Sequence, residues 1–118
     1  MGIRKLLSRW LHPPPFDVCP ACGSTALGHD VRILARERFS SGPSGIEAQL
    51  ARRDFARAAA LDDRRTLGDQ LVHQVVRCGQ KVVVVTCEEP IGLGLDSRVR
   101  GSLVLEGEEA SAAWANAR

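Results

Sequence analysis

Two cysteines three positions apart, Cys19 and Cys22, constrain this chain more than any other feature. They lie in the run Phe16-Asp17-Val18-Cys19-Pro20-Ala21-Cys22-Gly23-Ser24. Two thiolates at this spacing can converge on one ion, while the backbone N–H groups of the turn aim at the sulfurs and offset their charge. Gly23 can take the positive φ that ends such a turn. The chain has 118 residues, the size of one domain. A core of that size is small, and a metal staple would support it. With five aromatic residues and no tyrosine, the core must be built mainly from Val, Leu, Ile and Ala.

Cys19-Pro20-Ala21-Cys22-Gly23 resembles the knuckle of zinc ribbons and rubredoxins, whose pattern is Cys-Pro-x-Cys-Gly. The resemblance covers six residues, with an echo at Val75-Val76-Arg77-Cys78-Gly79, where Val75 replaces the first thiolate of a second knuckle. It implies a structural zinc and a small antiparallel ribbon-like sheet. The expected ligands are Cys19, Cys22, Cys78 and Cys87, with His29 and His73 as rivals for the fourth place. Spacing tests Cys87: along one straight strand it would stand about 30 Å from Cys78. A hairpin at Gly79-Gln80 puts Val72 opposite Cys87 and His73 on the other face. A three-residue loop over 79–81 puts His73 opposite Cys87 instead.

Cys-Pro-x-Cys also resembles the glutaredoxin active site, which gives a thiol redox protein as an alternative. There the first thiolate sits at a helix N-terminus, whereas Gly23-Ser24-Thr25-Ala26-Leu27-Gly28 is a poor helix. No phosphate-cradling glycine loop or nucleophile elbow is present. The expectation is a module without enzymatic activity.

The rest of the chain frames this site. Residues 3–11 form an amphipathic pattern with Ile3, Leu6, Leu7, Trp10 and Leu11 on one face and Arg4, Lys5, Ser8 and Arg9 opposite. Pro13-Pro14-Pro15 ends it. Residues 1–12 thus read as an arm. Ile3, Leu6, Leu7 and Trp10 are its candidate docking residues for a protein partner or, peripherally, a membrane surface. Residues 16–118 read as a single zinc-ribbon-like domain. Val31, Ile33 and Ala35 suit a half-buried strand. Ser44 and Glu47 fit a capping box opening an Ala/Arg-rich helix from about 45 to 61, with Phe55 off its apolar stripe. Residues 70–87 carry the densest β-branched pattern, Val99 to Leu105 suggest a further strand, and 108–118 a short helix or tail.

The fold class expected is therefore α+β: a small antiparallel zinc-ribbon-like sheet, an inserted Ala/Arg-rich helix and an N-terminal amphipathic helix. Net charge is +2, and Arg52, Arg53, Arg57, Arg64 and Arg65 are interspersed with acids. Nucleic acid is thus an alternative partner rather than the favoured one. No stretch has the length and apolarity of a membrane span. Ser8, Arg9 and His12 break the apolar run that a secretion signal would need. These features imply a reducing, cytoplasmic setting in which Cys-x-x-Cys binds metal. The function expected is a structural-zinc adaptor, an accessory subunit docking to a protein partner or larger assembly.

Overall fold

The computed structural model describes residues 15–26, 28–38, 45–63, 70–89 and 98–118. The elements in chain order are β1 (Asp30–Arg38), α1 (Gly45–Ala51), α2 (Phe55–Ala60), β2 (Gln70–Cys78), β3 (Lys81–Glu89), β4 (Arg98–Leu105) and α3 (Gly107–Asn116). The strands form one antiparallel sheet in the order β1-β2-β3-β4. The β2–β3 turn is two residues long, with Gly79 at φ +60°, the glycine-first pattern of a II′ hairpin. Its register sets Cys78 against Lys81 and Val72 against Cys87. Of the two registers open from the sequence, this is the Gly79-Gln80 one.

Alternation along the strands divides the buried residues between two faces. On one face Val75, Val82, Val84 and Leu105 pack with Ile46, Leu50, Phe55 and Ala58 of α1 and α2, and with Ala110 and Ala113 of α3. On the other face Val31, Val76, Val83, Val85 and Cys87 pack with Cys19 and Ala26 of the segment preceding β1. The β-branched run Val82–Val85 is fully buried because it is covered on both sides.

The expected fold is overturned in its particulars. The sheet is larger than the small zinc-ribbon-like sheet expected. Three of its strands have nine residues and the fourth has eight. The continuous helix expected over 45–61 is two short helices. Arg53 takes φ +61°, and the N–H groups of Asp54 and Arg53 bond back to the carbonyls of Gln49 and Leu50 at 2.9 and 3.1 Å. This is a Schellman ending with arginine in the usual glycine place. Asp54 then caps the next helix by accepting from the Arg57 N–H at 3.1 Å. The change of axis turns Phe55 inward, to 2% exposure. A third helix, α3, closes the chain. The amphipathic helix expected near the N-terminus, with Ile3, Leu6, Leu7 and Trp10, lies outside the described residues, as does Ser44. Among the described residues no helix is long and apolar enough to cross a membrane.

Candidate metal centre

The Cys19–Cys22 turn sits in a narrow loop closed at its base by an antiparallel bridge between Val18 and Thr25. Inside it, Cys19 N–H donates to the Ser24 carbonyl at 2.9 Å and Gly23 N–H to the Cys19 carbonyl at 2.8 Å. Gly23 has φ +72°, a left-handed position that a side chain would strain. The Ala21 N–H points at Cys19 Sγ, 3.4 Å away. A backbone hydrogen bond from Ser24 stands in the same relation to Cys22. Each sulfur thus receives the amide two residues downstream, as the knuckle spacing requires.

The remaining members come from the sheet. His29 immediately precedes β1, and Cys78 is the last residue of β2. The antiparallel register sets Asp30 against Arg77, so continuing it one step places His29 beside Cys78. A turn from Ala26, whose carbonyl accepts from His29 N–H at 3.0 Å, carries the chain from the knuckle onto the sheet. One ligand atom from each of Cys19, Cys22, His29 and Cys78 then lies within 4.8 Å of every other. Cys22 Sγ and His29 Nε2 are 3.6 Å apart. Cys19 is fully buried against the sheet, His29 and Cys78 are half-buried, and Cys22 is exposed. The four cysteines are all free thiols, so this group could hold a metal ion.

The sulfurs are electrostatically unequal. The Ser24 amide, then His29, holds the Cys22 thiol down at about 6. Desolvation, reinforced by the sulfurs of Cys22 and Cys19, pushes the Cys78 thiol up to about 11. A cation bound here would find Cys22 already a thiolate and would have to displace a proton from Cys78.

Cys87 stands apart from this group. It faces Val72 far along the β2–β3 pair, six strand positions and about 20 Å from Cys78's partner Lys81. It is a buried thiol on the knuckle face, raised to about 11 by desolvation. His73 is excluded by its face. It is buried on the helix side, between Thr86 Oγ1 at 2.8 Å and Glu37 Oε2 at 2.6 Å. His29 replaces both. The sequence held a usable signal for it: a histidine seven positions after Cys22, directly before a strand. It becomes decisive only once β1 is known to pair with β2.

No family model matches the chain, and neither the curated proteins nor the solved structures yield a significant match.

Proposed function

We propose that the chain is a small module built around a structural zinc ion held by Cys19, Cys22, His29 and Cys78, acting as a non-enzymatic adaptor for a protein partner. The carrying observation is the convergence of three sulfurs and one imidazole nitrogen from a knuckle loop and two neighbouring strands. Three thiolates and one histidine are a common set for closed tetrahedral structural zinc. With usual zinc–sulfur and zinc–nitrogen bond lengths, a tetrahedral S···N edge is about 3.6 Å. The Cys22–His29 separation is 3.6 Å. A Cys3His set fills all four positions and leaves none open for substrate, which favours a structural over a catalytic ion.

The test is metal analysis of reduced, purified protein. Zinc at one ion per chain is expected, and metal-free protein with an ordered 15–29 segment would contradict the reading. Capture of native partners then tests the adaptor part, with recovery of specific proteins depending on the loaded metal site.

A second reading, a thiol redox protein, draws on the exposed Cys22 thiol held at about 6, the second cysteine of the pair, whereas the glutaredoxin resemblance activates the first. The two readings separate on treatment with a glutathione redox buffer. A redox protein cycles a Cys19–Cys22 disulfide with its fold intact, whereas a zinc module stays reduced while loaded.

A further inference from the structure

The two edges of the sheet are finished differently. The outer edge of β1 is closed by the chain itself. Ile33 and Arg118 exchange two backbone hydrogen bonds, each 2.8 Å. Asp63 N–H donates to the Arg36 carbonyl at 2.8 Å, and Arg36 N–H to Asp62 Oδ1 at 2.6 Å. The outer edge of β4 has no such cover among the described residues: its strand partner is β3 alone. Six of its eight residues are exposed, and two of these are large aliphatics, Val99 at 46% and Val104 at 40% exposure. Both lie on the knuckle face, opposite Cys87 and Val83, so they continue a buried apolar surface out to the rim. An uncovered edge with exposed aliphatics is a template for another strand, and proteins ordinarily blunt such edges.

We infer that the β4 edge is a self-association surface, whose occupant is β4 of a second copy of this chain running antiparallel. The charge pattern selects that occupant. Arg98 and Arg100 mark the start of β4, no acid lies within it, and Glu106 follows its end. A strand of this polarity is complementary to itself reversed. Pairing about Ser102 sets Arg98 of one copy opposite Glu106 of the other at both extremities, and Val104 opposite Arg100, with Val99 one position further along. The small residue Ser102 falls at the two-fold axis, with Gly101 next to it. Because the β1 edge is already closed, the pairing stops at two copies and yields a closed isologous dimer with one eight-stranded sheet rather than a filament. The pairing uses no residue of the Cys3His group, so it stands or falls separately from the zinc reading.

The experiment is analytical ultracentrifugation of the full chain at high-micromolar concentration. The wild type should sediment at about twice the 12.8 kDa chain mass. Val104→Lys should shift it towards monomer. Arg98→Glu and Glu106→Arg, each alone, set like charges together at both ends and should weaken the dimer about tenfold. Mixed one to one, the two variants should recover the wild-type association, because each then supplies the charge the other lacks. All three substitutions are at exposed positions, and circular dichroism confirms that each variant folds. A wild-type monomer at that concentration would overturn the proposal. So would a dimer indifferent to Val104→Lys, or charge variants that fail to complement in the mixture.

Discussion

The two faces of the sheet are held by different physics. On the helix face, Phe55, Ile46, Leu50, Leu34 and Val75 form a core of large side chains covered by three helices. On the knuckle face, the covering segment contributes Cys19 and Ala26 as its buried apolar residues, with Phe16 and Ala21 partly buried against them. One face thus rests on apolar burial, at about 1.5–3 kcal/mol per large side chain. Among the described residues the other has less apolar cover, and its sulfurs and imidazole converge where a cation could bind. The sequence resemblance implied a sheet dependent on metal. Under the proposed metal site, that dependence would fall on the knuckle segment, while the sheet rests on its helix-side core.

The contrast is broken most strongly by removing the helix-side anchor. Phe55→Ala should cost about 3–5 kcal/mol, read by urea unfolding of the metal-loaded protein. A loss under about 1 kcal/mol would mean that α2 contributes little to the core. Chelating the metal should act on the other face. Amide exchange should lose protection across residues 17–29 while Val75, Val84 and Val85 keep theirs. Uniform loss of protection would show that the faces are not separable.

The pH dependence sharpens the same contrast. Metal binding requires thiolates and therefore releases protons. Cys78, raised to about 11, is protonated at neutral pH in the metal-free protein. Cys22, lowered to about 6, is already ionised there. Affinity should therefore rise with pH at least about tenfold per unit between pH 7 and 9, for the proton leaving Cys78. The slope should steepen below pH 6, where Cys22 also carries a proton. Competition titrations with a chromophoric chelator measure both regions. The smallest effect lies at the helix break: Asp54→Ala should cost about 1 kcal/mol through loss of the α2 cap, with metal affinity unchanged.

The strands and the knuckle were legible because their signals are local. β-branched runs, a glycine at a two-residue turn and a Cys-Pro-x-Cys spacing each fit within a few residues. The helix break was half legible. Phe55 stood off the apolar stripe of a single helix, and Asp54 is a good capping residue, but the left-handed residue between the helices is Arg53 rather than glycine. The fourth member of the site was not decided by the sequence. Counting cysteines favoured Cys87, yet the choice between Cys87, His73 and His29 is one of register and face. Val72 opposite Cys87 removes one, the Glu37 and Thr86 partners of His73 remove another, and Asp30 opposite Arg77 brings in His29.

The most direct test is native mass spectrometry of single variants after zinc loading. One ion per chain should persist in Cys87→Ala, disappear in Cys78→Ser and Cys22→Ser, and be bound more weakly in His29→Ala. Retention of zinc by Cys78→Ser together with its loss from Cys87→Ala would contradict the Cys19–Cys22–His29–Cys78 site.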